Sequence, residues 1–105
     1  LRFTVVLIPD QEWISATVPA MPGCASQGRT RDEALAHVRE GIRGWLITEA
    51  QQGRTPLMET PALVSAGVSE ALEIIDEMRR SGEVAADQGY DLEVTTVEIR
   101  EPAIA

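Results

Sequence analysis

The stretch from Val18 to Ala34, V-P-A-M-P-G-C-A-S-Q-G-R-T-R-D-E-A, decides the fold, because it joins a strand end, a tight reversal, a short strand and a helix start without a gap. Pro19 and Pro22 fix φ and each remove an N–H donor, so the strand ending at Val18 cannot continue its ladder through them. Gly23 supplies the backbone freedom that a reversal between Pro19 and Gly23 needs. Cys24 to Gln27 is too short and unpatterned for a helix and is predicted as a third strand at a sheet edge. Gly28 closes it. Thr30 then stands three residues before Glu33 in a capping-box arrangement, which predicts a helix beginning at Arg31.

Working outward, Arg2 to Ile8 is apolar or β-branched on both alternating sets, Phe3, Val5, Leu7 and Thr4, Val6, Ile8, the pattern of a central strand covered on two faces. Pro9-Asp10-Gln11-Glu12 is predicted as a hairpin loop, and Trp13 to Val18 as the second strand. From Arg31 to about Gln52, Leu35, Val38, Ile42, Trp45, Leu46 and Glu49 recur at helical spacing and leave an apolar stripe for the sheet. Gly41 and Gly44 each cost about 1 kcal/mol relative to Ala inside a helix. Two explanations stand open: close approach of another backbone along the His37, Gly41, Gly44, Thr48 side, with self-association as its bolder form, or helix weakness offset by packing.

Gly53-Arg54-Thr55-Pro56 ends this helix, and Leu57 to Ala66 is predicted as an extended connector. A second helix near 66–81 follows, with Val68, Ala71, Leu72, Ile75 and Met78 on its apolar side, Ser65 or Ser69 as N-cap and Gly82 as C-cap. Glu83 to Asp91 is predicted as polar loop and Leu92 to Ile99 as the last strand. The expected fold class is α+β, in the order β-β-β-α-α-β: an antiparallel meander receives a final strand, with a helix packed on one sheet face.

A chain of 105 residues predicts one domain. The single cysteine cannot form an internal bridge, no apolar run approaches the roughly 20 residues of a membrane span, and no basic leader precedes the first strand. The expected compartment is the cytoplasm, with no membrane partner. A formal charge of −8 argues against direct binding to nucleic acid and favours a cationic partner. Up to Pro56 the six acids and six arginines balance, so the whole excess lies beyond it, where eleven acids face Arg79, Arg80 and Arg100.

The turn block resembles the signature of the HicB-like antitoxins, in which a VP-x-hydrophobic-PG-C/A-x-S/T-x-G segment leads into a T-x-x-E-A helix start. Here that signature reads Val18-Pro19, Met21-Pro22-Gly23-Cys24, Ser26, Gly28, Thr30, Glu33-Ala34. The likeness runs from Phe3 to about Gln52, roughly half of the chain, and it implies a partial RNase H fold. It also implies a role in neutralising a HicA-like toxin, a small basic mRNA-cleaving protein. The second helix departs from the compact family pattern, as an insertion before the last strand would. A homo-oligomer, dimer or tetramer, is expected as well. Nothing after Ile99 is long enough for the DNA-binding segment that some members carry, so a C-terminal DNA-binding domain is not expected.

No catalytic residue, metal site or cofactor is expected. RNase H chemistry needs convergent carboxylates, one of them on the first strand. That strand carries none, Asp10 is placed in the loop beyond Pro9, and Glu33 is occupied by the cap. His37, with Glu33 at i−4 and Glu40 at i+3, has too few ligands on one helix for a metal site. Cys24 has no base to activate it and reads as a small buried hydrophobe. Pro19, Pro22, Gly23, Cys24, Gly28, Thr30 and Glu33 are thus structural. The candidate partner-binding residues are Glu70, Glu73, Asp76 and Glu77, whose alternative is a solvated helix face. The competing functional class is an orphan homo-oligomeric structural or ligand-binding module without a toxin.

Overall fold

The computed structural model describes residues 1–54, 58–82 and 92–100, in which β1 (Arg2–Asp10), β2 (Trp13–Thr17), β3 (Ala25–Gly28), α1 (Arg31–Gln51), α2 (Pro61–Ser81) and β4 (Glu93–Glu98) follow one another. The strands form one antiparallel sheet in the order β3-β2-β1-β4. The expected order and fold class are those observed. The expected Glu83–Asp91 loop lies outside the described residues.

β1 is central and buried on both faces. Phe3, Val5 and Leu7 join Val38, Ile42, Leu46 and Val97 in the core under α1, while Val6 and Ile8 meet Ala71 and Ile75 of α2 on the opposite face. The two helices therefore sandwich the sheet, as the two apolar sets of β1 require. The core under α1 is much the larger; α2 rests on β1 through a small cluster to which Val68 and Leu92 add partial cover.

Main-chain parity explains several departures from expectation. Leu1 and Ile99 exchange both of their backbone hydrogen bonds, at 3.0 and 2.7 Å. Odd-numbered residues of β1 thus address β4, and even-numbered ones address β2. Pro9 faces the β4 side, where pairing already ends at Leu7 opposite Glu93. Its missing donor costs no ladder bond, so β1 runs on through Pro9 to Asp10. The expected four-residue loop shrinks to Gln11 and Glu12, with Gln11 at φ 50°, and Asp10 is a strand residue paired with Trp13. Thr4 faces the β2 side beyond the last β2 pair, Val6 with Thr17. Its orphan N–H donates to Glu59 Oε1 at 2.6 Å and its hydroxyl to Glu59 Oε2 at 2.8 Å.

The second helix begins at Pro61, five residues before the expected start, and neither Ser65 nor Ser69 caps it. Thr60 does, its hydroxyl accepting from the Leu63 N–H at 3.2 Å, with Pro61 in the first turn, where its absent donor would have been unpaired in any case. Pro61 thus opens the helix instead of prolonging the connector. The far end closes as expected at Gly82, with φ 78°. Ala71, Ile75 and Met78 are the buried stripe; Leu72, expected among them, is half exposed. β3 is shifted by one residue, since Cys24 precedes the strand and is buried beneath α1.

Candidate partner-binding face

The turn block is held by its own backbone. Met21 N–H donates to Val18 O, Cys24 N–H to Met21 O and Val18 N–H to Cys24 O, at 3.0, 2.9 and 3.2 Å. Gly23 sits at φ 88°, in the left-handed region that a side chain disfavours. Ala20 and Met21 are fully buried, which anchors the loop in the α1 core. The helix cap has the expected donor and acceptor types with one difference. Thr30 Oγ1 accepts from Glu33 N–H at 3.1 Å, but the Glu33 carboxylate reaches back to Arg29 N–H, at 3.3 Å, one residue beyond the box position.

Gly28 lies under the first turn of α1, where an added Cβ would overlap Ala34 N. Burial pushes the Cys24 thiol pKa up, so this sulfur stays protonated and behaves as a hydrophobe. The Cβ position of Gly41 is in ordinary contact with Cys24 Sγ, while that of Gly44 meets nothing within 4 Å. Among the described residues neither position therefore requires glycine, since a side-chain methyl would be accommodated at both.

His37, with too few neighbouring ligands for a metal site, has a structural partner on β3. Its Nδ1 lies 2.7 Å from Gln27 O on β3, a geometry in which Nδ1–H donates. Val18 N–H bonding Cys24 O sets the parity of β3, so that Ala25 and Gln27 direct their main-chain groups away from β2, to the outer edge of the sheet. His37 thus occupies one of the carbonyls through which another strand would add. Sequence reasoning missed this role, because nothing in the spacing of residues 27 and 37 announces an edge.

Among the described residues, no group of three or more His, Cys, Asp or Glu side chains could hold a metal ion, and no helix is long and apolar enough to cross a membrane. The described acids of the second half fall into two kinds. Glu59 ties Thr4, Glu93 pairs with Arg31 Nη2 at 2.6 Å, and Glu98 makes an exposed pair with Arg2 at 3.3 Å, so three of the described acids have partners within the chain. The Arg31 hydrogen bond holds the Glu93 carboxyl below its usual pKa. In the sequence Glu59 stands only as part of the charge excess, because a partner 55 residues away leaves no local signal. Glu70, Glu73, Asp76 and Glu77 are all exposed on α2, and none makes an ion pair among the described residues.

The four are not equivalent. Glu70, Glu73 and Glu77 succeed one another at three and four residues and form one row, whereas Asp76 lies about 120° around the helix from Glu70. Like charges at this spacing cost a few tenths of a kcal/mol per pair. Beside the row runs a cavity of about 300 Å³ between α2 and the turn block, lined by Leu63, Ala66, Gly67, Glu70 and Ile74 on one wall and by Pro19, Pro22, Gly23, Cys24 and Ala25 on the other. Its two walls meet where Gly67 packs on Pro19, so closely that a Cβ would lie 2.6 Å from the ring.

A four-stranded β3-β2-β1-β4 sheet between two helices is the partial RNase H-like fold of the HicB antitoxin N-terminal domain. The crystal structure of that domain from Burkholderia pseudomallei superposes with a TM-score of 0.57 over 95% of this chain and 99% of that one, at 21% identity. The longer HicB structure from the same organism gives 0.58 over 94% of this chain and 63% of that one, at 22% identity. No protein-family model matches the chain. The UPF0150 protein Ta0767 of Thermoplasma acidophilum is 38% identical over 47 residues, 44% of this chain and 68% of that protein. The chain belongs to the UPF0150 family.

Proposed function

We propose that the chain is an antitoxin that binds and neutralises a HicA-like toxin, a small basic mRNA-cleaving protein, by covering the toxin's cationic RNA-binding surface. The observation that carries this is the row of exposed acids on α2, which no base offsets by an ion pair among the described residues. A surface that must hold RNA presents positive charge, and an acidic helix both speeds encounter with it and competes with phosphate for it. The HicB fold supports the antitoxin role and, with it, a regulatory protein that acts by occupancy and not by catalysis.

The test is co-expression with the product of the gene adjoining this chain's own, which the proposal requires to be a small basic protein. Relief of growth arrest and co-purification are expected, with an affinity that falls as salt rises. Neutralising Glu70, Glu73, Asp76 and Glu77 together should weaken that affinity about 10-fold or more. Unchanged affinity of the quadruple variant would remove α2 from the mechanism.

A further inference from the structure

We infer that the groove between α2 and the turn block is the anchor point for the basic partner, receiving an apolar side chain flanked by a cationic one. This rests on the antitoxin reading and adds the place and manner of contact to it. Three observations converge here. The groove, about 300 Å³, is at the lower end of ligand-pocket size, suited to one or two side chains, and every lining residue but Thr17 and Glu70 is apolar, proline or glycine. Glu70 lines it, with Glu73 and Glu77 continuing the acidic row along the same helix. Ile74, 42% exposed, presents its apolar side chain to the same space.

An apolar floor under a negative rim selects a segment in which Leu, Met or an aromatic residue adjoins Arg or Lys, since the cation meets a carboxylate while the apolar group leaves water. The adjacent β3 edge does not offer the alternative of full strand addition, because His37 already holds the Gln27 carbonyl. A second copy of this chain would carry its own acidic row toward the first. The occupant is therefore a basic protein segment engaged through side chains. On this view the turn block, with Pro19, Pro22, Gly23 and Cys24 in the wall, forms binding surface as well as a reversal.

The experiment uses the full chain and the basic protein whose growth arrest it relieves. Ile74→Arg places a cation at the groove, and Ala66→Phe fills it from an exposed position. Leu72→Arg makes the same change as Ile74→Arg at a residue that is 50% exposed on α2 but does not line the groove. Thermal unfolding establishes that each variant is folded, and calorimetric titration reads affinity. Ile74→Arg and Ala66→Phe should each raise Kd at least 10-fold, roughly the loss of one hot-spot contact, with Leu72→Arg within about 2-fold of the parent. Glu70→Gln should weaken binding more than Asp76→Asn. Parental affinity in both groove variants would overturn the groove while leaving the antitoxin reading intact. A parent chain that relieves no arrest would overturn both. Light scattering showing a dimer dissolved by Ala66→Phe would reassign the groove to self-association and also sink the proposal.

Discussion

Gly28→Ala probes the joint between the turn block and α1. Its Cβ would overlap Ala34 N and lie 2.8 and 2.9 Å from Glu33 C and Cβ. Two of these three are backbone atoms, so no rotamer change relieves them; the first turn of α1 must move. Overpacking of this kind costs about 1–3 kcal/mol. The movement also strains the bond from Glu33 N–H to Thr30 Oγ1, 3.1 Å long, and loss of such a cap adds about 1 kcal/mol. The sum, about 2–4 kcal/mol, is a large share of the roughly 5–15 kcal/mol that holds a domain of this size. Tm should fall by roughly 10–25 °C, read by far-UV circular dichroism and checked by urea titration. Gly44→Ala is the contrast, because its Cβ meets nothing within 4 Å and the helix gains about 0.5–1 kcal/mol. Equal stability of Gly28→Ala and the parent within about 0.5 kcal/mol would refute the steric account. A destabilised Gly44→Ala would show that a second backbone approaches there.

Glu59→Ala leaves the Thr4 amide without its acceptor at a site 7% exposed; a loss of about 1–3 kcal/mol in urea unfolding is expected, with faster hydrogen exchange at Thr4, and parental exchange would refute the tie. His37→Ala frees the Gln27 carbonyl and should increase concentration-dependent association in sedimentation, with about 1 kcal/mol lost from the fold; a strictly monomeric variant of parental stability would count against the edge-closing role. The hydrogen bond from Arg54 to Glu49, 2.7 Å long, lowers the Glu49 carboxyl pKa from 4.5. A folded pKa below the unfolded one contributes stability above the unfolded pKa and loses it as pH falls through the folded value. The carboxyl carbon of Glu49 should therefore titrate below pH 4.5 in the parent and return toward that value in Arg54→Ala. Identical titrations would dismiss the pair.

How much was legible follows from where each signal lives. β1, α1 and the reversal at Pro19–Gly23 are written in local terms, through apolar sets at a period of two, a stripe at helical spacing, and proline and glycine at the turn. The misplaced boundaries were decided by neighbours. Pro9 looks like a strand breaker until its donor side is known to be vacant, and Pro61 looks like connector until Thr60 is seen to cap. Leu72 fits the apolar period of α2, yet the helix rests on β1 by a narrow stripe that leaves it outside. At the candidate site, the acids were visible as a charge excess. Their sorting into Glu59, Glu93 and Glu98, partnered within the chain, and the α2 row, left outward, needed tertiary partners.

The sandwich gives its two helices different tasks. α1, capped by Thr30, covers the larger core, with Ala34, Leu35, Val38, Ile42 and Leu46 buried, and supplies His37 to the edge of β3. α2 buries Ala71, Ile75 and Met78, and its N-terminal half is seated by a glycine on a proline of the turn block. A helix docked through so narrow a stripe gains little from carrying three like charges in a row, since each neighbouring pair weakens it. Under the proposed function that row, of which Glu70 lines the apolar groove, is compensated when a cation meets it and an apolar group fills the floor. A basic partner bound at this row would then stabilise both the complex and the more weakly docked helix.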